Sequence, residues 1–173
     1  ILALHGGGIE PATTELAYTI AHCGDYNYFS FKGMRSKGNN ELHVTSTHYD
    51  DQIALDLVRG SQRTVAIHGC EGNESVAYIG GSDDRLIELI TESLEDIGIS
   101  VREAPHHISG TQENNIVNMT QTQGGVQLEL TAQLRKELFK NRKSSRKNRE
   151  NKDNWDDLMY DFADAMKKAI ERA

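Results

Sequence analysis

Cysteine and long apolar runs are both scarce in this sequence. The two cysteines, Cys23 and Cys70, are too few to form a disulfide framework. They can pair with each other, or remain separate thiols that are buried like small apolar side chains, which is the common behaviour of free cysteine. No stretch approaches the roughly 20 apolar residues that a helix needs to cross a bilayer. A disulfide-stapled scaffold and a membrane-spanning helix are therefore not expected.

Length and composition indicate a globular chain with one core. The 173 residues suit a single domain, and 37% hydrophobic with 26% charged residues is typical of globular proteins. No targeting signal is visible, but the sequence starts at Ile1 inside an apolar run and without Met. We therefore expect further residues upstream, which leave room for a removed targeting segment.

Charge is distributed unevenly along the chain. The net charge is −7, yet residues 133–152 hold nine Lys or Arg against two acids. A basic block of this kind can bind a polyanion. It can also be a solvated helix end followed by a linker, and we favour that interpretation, with the linker at 142–154. Nucleic-acid binding by 135–149 is a third hypothesis, which the scarcity of aromatic residues nearby argues against.

Short apolar segments alternate with amphipathic ones over the whole sequence. Strands are predicted at 1–5, 26–31, 42–46, 64–67, 76–79, 99–102 and 126–130. Helices are predicted at 12–22, 50–58, 83–97, 131–141 and 155–172. Alternation of this kind predicts an α/β sandwich of three layers around a central mixed, largely parallel sheet. Active sites in such folds lie at the carboxyl ends of the strands.

Two histidines and a glutamate stand where strands are predicted to end. His5 closes the first strand, Glu10 follows it across a glycine-rich bend, and His68 closes a later strand and is followed by Gly69. Two imidazoles and one carboxylate are a common set of three zinc ligands that leaves one position for water. The alternative is that both histidines are satisfied core residues and that Glu10 is an ordinary acid at a helix start. The residues alone leave both interpretations open.

The glycine run Gly6-Gly7-Gly8 allows a further hypothesis, because a glycine-rich loop after a strand can hold phosphate. The sequence has no G-x-x-x-x-G-K-[ST] pattern, and Glu10 at the helix start would repel an anion. Phosphate binding is therefore disfavoured.

Glu129 lies in the predicted strand 126–130 among apolar residues. A carboxylate in the middle of a sheet is costly unless it is paired or lies near a metal. Beside a zinc site it could accept a proton from water and pass it to a leaving amine. Alternatively, Glu129 points to solvent together with Gln127, two positions earlier on the same face of the strand.

Other polar residues are weaker candidates. His43 and His48 flank a Thr-Ser-Thr segment, and His106-His107 lies in 104–124, a long irregular segment of the kind that is often functional. Two arginines near glycine-containing bends, Arg35 and Arg85, could hold a carboxylate through a two-pronged contact. No Ser-His-Asp or Cys-His-Asn arrangement stands out.

Five segments in order resemble the phage-type poly-γ-glutamate hydrolases, over about residues 1–140. They are HGGGIE at 5–10, LHVTST at 42–47, IHG at 67–69, NNIVN at 114–118 and GVQLEL at 125–130. That family consists of zinc peptidases related in fold to carboxypeptidase A and, more distantly, to N-formylglutamate amidohydrolases. The resemblance implies a zinc carboxypeptidase-like fold and a phage-encoded hydrolase that degrades the γ-linked glutamate capsule of the host.

The resemblance also implies roles for individual residues. His5, Glu10 and His68 would hold one zinc ion per chain, and Glu129 would be the general base and acid. Many relatives are expected to carry Arg after the N-I-x-N piece, where this sequence has Met119. Other residues must then bind the substrate carboxylates or the oxyanion, and the residues assigned to substrate binding are Arg85, Arg35, Asn115 and Asn118.

The expected organisation is a single catalytic domain, 1–173, with the C-terminal helix at 155–172. We expect a monomer that acts on an anionic polymer and has no membrane or nucleic-acid partner. We also expect it to be made in the host cytoplasm and released to act outside the cell. A different amidohydrolase on the same scaffold, acting on N-formylglutamate or a cell-wall peptide, is the alternative function.

Overall fold

A six-stranded sheet forms the centre of the computed structural model, which describes residues 1–173. The strands are β1 (Leu2–Gly7), β2 (Phe29–Gly33), β3 (Val65–Cys70), β4 (Val76–Gly81), β5 (Ser100–Glu103) and β6 (Val126–Thr131). Their order is β2-β1-β3-β6-β4-β5. The first four strands in that order are parallel, β4 is antiparallel to β6, and β5 is parallel to β4. The prediction of a mixed, largely parallel sheet is confirmed.

Helices cover both faces of this sheet. They are α1 (Thr13–Gly24), α2 (Gln52–Arg59), α3 (Asp84–Glu95), α4 (Ala132–Glu137), α5 (Arg146–Arg149) and α6 (Asp157–Glu171). One face packs against α1, α3 and α6 in the larger apolar core. The other face carries α2 and a smaller core that includes Tyr49 and Val117. The result is the predicted three-layer sandwich, and none of its helices is long and apolar enough to cross a membrane.

Helix α3 shows how local sequence sets an element. The Asp83 side chain accepts a hydrogen bond from Leu86 N at 3.0 Å and so caps the first turn. Leu86, Leu89 and Ile90 recur at helical spacing and are buried in the larger core. Each such side chain contributes about 1.5–3 kcal/mol when it leaves water. The predicted helix at 83–97 is thereby confirmed to within two residues at its C-terminal end.

The strand predicted at 42–46 is wrong. Short 3₁₀ turns at Asn39–Leu42 and Ser46–His48 stand there instead. Val44 has β-strand propensity but is 43% exposed. Its carbonyl accepts a hydrogen bond from the His5 ring rather than from a neighbouring strand. Tertiary contacts at the end of the sheet therefore outweigh local propensity.

The basic segment 142–154 is not the linker that we expected. It contains α5 and a 3₁₀ turn at Lys152–Asn154. Within α5, Arg149 is buried, and its carbonyl accepts a hydrogen bond from Trp155 Nε1 at 2.8 Å. The helix predicted at 131–141 ends at Glu137 for the same reason, since the chain turns to pack this segment against the domain.

Candidate metal centre and catalytic cleft

Three candidate residues lie on adjacent parallel strands. His5 is on β1, His68 on β3 and Glu129 on β6, and all three strands run in the same direction. Their carboxyl ends therefore meet at one edge of the sheet, as expected for an α/β site. All three side chains are buried.

The glycine-rich bend brings Glu10 back to the same edge. Gly7 has a φ of 66°, a conformation that L side chains rarely adopt. A Cβ atom on Gly6 would overlap the Thr14 hydroxyl, so the bend packs tightly against α1. The backbone N–H of Glu10 then donates to the His5 carbonyl at 2.8 Å. The close turn places a residue five positions away beside His5.

The ligand atoms of His5, Glu10 and His68 converge on one point. His5 Nδ1 lies 2.9 Å from Glu10 Oε1 and 3.1 Å from His68 Nδ1. His68 Nδ1 lies 3.5 Å from Glu10 Oε2. Two ligands on a tetrahedral zinc ion at about 2.0–2.1 Å are separated by about 3.3 Å. The observed spacing is therefore that of three donors around one small cation.

The hydrogen bonds of the rings favour the same interpretation. His5 Nε2 lies 2.7 Å from the Val44 carbonyl, which only accepts, so this nitrogen carries the proton. Nδ1 of His5 then presents its lone pair to the centre. His68 Nε2 lies 3.5 Å from Ser46 Oγ, which leaves its Nδ1 directed at His5. A ring that donates its distal N–H to a carbonyl is the usual arrangement of a metal-bound histidine, and the donor set fits zinc.

Glu10 is held as an anion. Burial opposes its ionisation, but the close polar contacts with His43, His5 and His68 outweigh that effect and hold the pKa of Glu10 well below its usual range. The N–H of Gly69 also donates to Glu10 Oε2 at 2.9 Å. The contact with His43, whose Nε2 lies 3.2 Å from Glu10 Oε1, raises the pKa of His43. His43 also stacks on His5 with ring centroids 3.7 Å apart, a role that its position in the sequence left open.

Glu129 does not point to solvent. It is 6% exposed, and Gln127 Nε2 donates to its Oε1 at 3.0 Å. Asn115 Nδ2 donates in turn to Gln127 Oε1 at 3.1 Å. Burial raises the pKa of Glu129, although His68 opposes the shift. The chain Asn115–Gln127–Glu129 therefore orients a carboxyl group that holds a proton more readily than an exposed glutamate does.

A cleft of about 420 Å³ opens above these residues. His5, Glu10, His68 and Glu129 line its floor. Its walls come from residues 43–47 and from the irregular segment 104–124, which contributes His107 and Gln112. The cleft contains water-accessible space beside both the carboxylate of Glu129 and the three converging donors, as a hydrolytic site requires.

Comparison with known proteins decides the family. The model of the poly-γ-glutamate hydrolase family matches residues 1–165. This chain belongs to the poly-γ-glutamate hydrolase family. The SPbeta prophage-derived protein YoqZ of Bacillus subtilis strain 168 is 39% identical over 141 residues, which are 80% of this chain and 51% of YoqZ. The chain spans about half the length of YoqZ and a similar share, 55%, of its relative YndL.

Two solved structures share the fold of this hydrolase-family chain. A bacteriophage poly-γ-glutamate hydrolase superposes with a TM-score of 0.94 at 33% identity, covering 99% of this chain and 82% of that one. The zinc-free apo form of YndL superposes with a TM-score of 0.90 at 31% identity, covering 98% and 82%. The resemblance stated from the five sequence segments is confirmed at the level of family and fold.

Neither of the two candidate arginines lies in the cleft of this hydrolase fold. Arg85 is on the exposed side of α3 and pairs with Glu88. Because β4 is antiparallel to β6, Gly81 at the end of β4 pairs with Val126 at the start of β6. Helix α3, which follows β4, therefore begins at the edge of the sheet opposite the cleft. Arg35 lies outside the cleft, in an adjoining cavity.

The two candidate asparagines have different positions. Asn115 lines the cleft and orients Gln127. Asn118 is buried away from the cleft, and its amide donates to the carbonyls of Gly110 and Gln112 at 2.7 and 3.0 Å. Asn118 therefore shapes the wall of the cleft rather than lining it.

Arg135 links the backbone under the site, a role that sequence reasoning missed. Its guanidinium is buried and donates to the carbonyls of Leu130, Pro11 and Cys70 at 3.1, 2.9 and 3.0 Å. Each of these carbonyls belongs to a residue that follows a site residue by one or two positions. A Cβ on Gly69 would strike the same guanidinium. In the sequence, Arg135 appeared as one cation of a solvated basic stretch, and only its tertiary contacts distinguish it.

Proposed function

We propose that this chain hydrolyses γ-glutamyl amide bonds of poly-γ-glutamate in a zinc-dependent reaction. His5, Glu10 and His68 hold one zinc ion, and Glu129 transfers the protons. The observation that carries this proposal is the convergence of three ligand atoms within 4.8 Å of one another, beside a buried carboxyl group, in a member of this family. The zinc-free form described for YndL, a relative of the same fold, supports zinc as the metal.

The chemistry follows from the positions of the side chains. A zinc ion at this centre would polarise the scissile carbonyl and lower the pKa of a coordinated water towards ~7. Glu129 accepts the proton of the attacking water and delivers it to the nitrogen of the leaving γ-amide. Gln127 fixes the carboxyl group in place through Oε1. The raised pKa of Glu129 suits this task, since a carboxyl group that binds a proton more readily can both take it up and pass it on.

The relatives also support a biological role. YoqZ is prophage-derived, and one similar structure is that of a bacteriophage enzyme. We therefore propose that the chain comes from a phage or prophage and degrades a γ-linked glutamate capsule. Such a capsule lies outside the cell, so the enzyme would act there after release from the host.

Zinc content and product analysis test the proposal together. The purified protein should contain one zinc per chain and shorten poly-γ-glutamate. A chelator should abolish the activity, and added zinc should restore it. Activity on N-formylglutamate or on cell-wall peptides, with poly-γ-glutamate left intact, would assign a different amidohydrolase reaction. A metal-free sample that works at the full rate would refute the role of zinc.

A further inference from the structure

The cleft lacks the cations that its proposed substrate requires. Each residue of a γ-linked glutamate chain carries a free α-carboxylate, so the polymer is a polyanion. No lysine or arginine lines the cleft, and the charge of a zinc ion there would be balanced by Glu10 and Glu129, which leaves no excess positive charge for the polymer. The polymer must therefore meet positive charge outside the cleft, and this inference rests on the proposed function.

A second cavity, of about 470 Å³, adjoins the cleft. We call it the basic cavity; its charged lining residues are Lys32, Arg35, Arg146, Arg149, Glu15 and Glu150. Gly7, Gly8 and Pro11 line the basic cavity, whereas His5 and Glu10 of the same bend line the cleft. Asn39 likewise lines the basic cavity, and His43, four residues later, lines the cleft. The glycine-rich bend therefore lies between the two spaces, and a chain that leaves the cleft across this bend reaches the basic cavity.

The charges of the basic cavity differ in their freedom to bind a ligand. Arg149 is buried and bound to Glu15 Oε1 at 3.3 Å and to the Gly7 carbonyl at 3.1 Å, so it supports the fold. Lys32 is exposed and forms no ion pair. It lies on β2, the edge strand, next to the end at which β1 enters the bend. Lys32 is therefore the cation most available to an incoming carboxylate.

Two more cations of the basic cavity are only loosely engaged. Arg146 pairs with Glu150 at 2.8 Å, and Arg35 pairs with Glu41 at 2.7 Å. All four side chains of these pairs are about half or more exposed. Exposed ion pairs contribute about 0–1 kcal/mol, so a substrate carboxylate can compete for either arginine. The four basic side chains outnumber the two acids of the lining, which leaves the cavity positive.

We infer that the basic cavity is a substrate subsite. It binds α-carboxylates of the γ-glutamate chain on one side of the scissile bond, through Lys32 and Arg146, with Arg35 at its rim. The remaining part of the chain crosses the glycine-rich bend to reach Glu129. This arrangement separates the anion-binding groups from the metal ligands, so that the cations do not compete with the metal for Glu10.

Charge variants test the subsite. Lys32→Gln and Arg146→Gln should each raise KM for long poly-γ-glutamate, by about tenfold when they are combined, and should weaken the dependence of KM on salt. Glu150→Gln should act in the opposite direction and lower KM, because it frees Arg146. Lys168→Gln is the matched control: it removes the same charge from an exposed lysine on α6 that forms no ion pair and does not line the cavity. An unchanged KM in the combined variant would overturn the inference.

A binding measurement separates this inference from the proposed function. The Glu129→Gln protein, which should not cleave the polymer, can be titrated with poly-γ-glutamate with and without Lys32→Gln and Arg146→Gln. Hydrolysis by the wild type with equal polymer binding in both proteins would leave the function standing and refute the subsite. No hydrolysis, but binding that is lost in the charge variants, would refute the function and support the subsite. The absence of both hydrolysis and binding would refute both.

Discussion

His68 and Glu129 are direct register partners on the neighbouring parallel strands β3 and β6. Strand alternation places both side chains on the same face of the sheet, at the same height. One residue belongs to the proposed ligand set and the other is the proposed proton carrier. The backbone pairing of two strands therefore fixes the spacing of His68 and Glu129, and neither side chain depends on a mobile loop for its position.

We expect Glu129→Gln to retain zinc and to lose about 10²- to 10⁴-fold in the rate of polymer cleavage, the range ascribed to general acid–base catalysis. Glutamine keeps the shape of the side chain but cannot carry the proton. Metal analysis and initial rates check both statements. Glu103→Gln, at an exposed acid on β5 far from the cleft, is the control and should behave like the wild type. A Glu129→Gln protein with the wild-type rate would show that another group transfers the proton.

The His68→Ala variant should lose the metal. The remaining donors, His5 and Glu10, leave a two-ligand site, which is not enough for a stable zinc centre. Elemental analysis after dialysis measures the loss, and circular dichroism verifies that the fold persists. The same change at His106, in an exposed part of the irregular segment, should leave the zinc content intact. Full zinc content in His68→Ala would contradict the proposed ligand set.

The Arg135→Met variant should weaken zinc binding by on the order of tenfold, because groups that support metal ligands commonly contribute 10- to 100-fold to metal affinity. The variant leaves three carbonyls near the site, one buried and two partly buried, without their shared donor and also reduces stability. Competition with a chromophoric chelator measures the affinity.

Leu134→Ala distinguishes this positioning role from general destabilisation. Leu134 is buried in the same helix and has no contact with the cleft, and its truncation should cost about 2–5 kcal/mol of stability. We expect it to bind zinc as the wild type does. Equal zinc affinity in Arg135→Met and Leu134→Ala would show that Arg135 has only a structural role.

Cys70 lines the cleft, but we expect it to be dispensable for catalysis. Burial raises the pKa of its thiol to about 11, and the nearby Glu129 adds to the shift. Since the thiolate is the reactive form, its fraction at pH 8 is roughly 200-fold below that of an ordinary cysteine with a pKa of about 8.5. Alkylation by iodoacetamide should therefore be slow at pH 8 and should accelerate as the pH rises towards 11. Cys70→Ala should keep most of the activity, and a complete loss would instead indicate a cysteine nucleophile.

The sequence by itself determined the layers and the edge at which the site lies. Periodicity and capping located α3 and α6, and apolar runs located β1, β3 and β6, because these elements bury faces that their own residues define. Strand ends followed by glycine then marked His5 and His68. Glu10 could also be identified from the sequence, because a glycine-rich bend folds back over only a few residues and returns the chain to His5. These features depend on neighbours in the chain.

Only the tertiary structure decided the features that depend on distant segments. Arg85 lies at the opposite edge of the sheet because β4 runs antiparallel to β6, a direction that the apolar pattern of β4 does not encode. The exposed Val44 supplies a carbonyl to His5 instead of joining the sheet. Arg135 and Lys32 are alike in a sequence as single positive charges, yet the fold buries the first under the site and leaves the second exposed in the basic cavity. Pairings of this kind are set by the packing of elements that lie far apart in the chain, so local pattern cannot distinguish them.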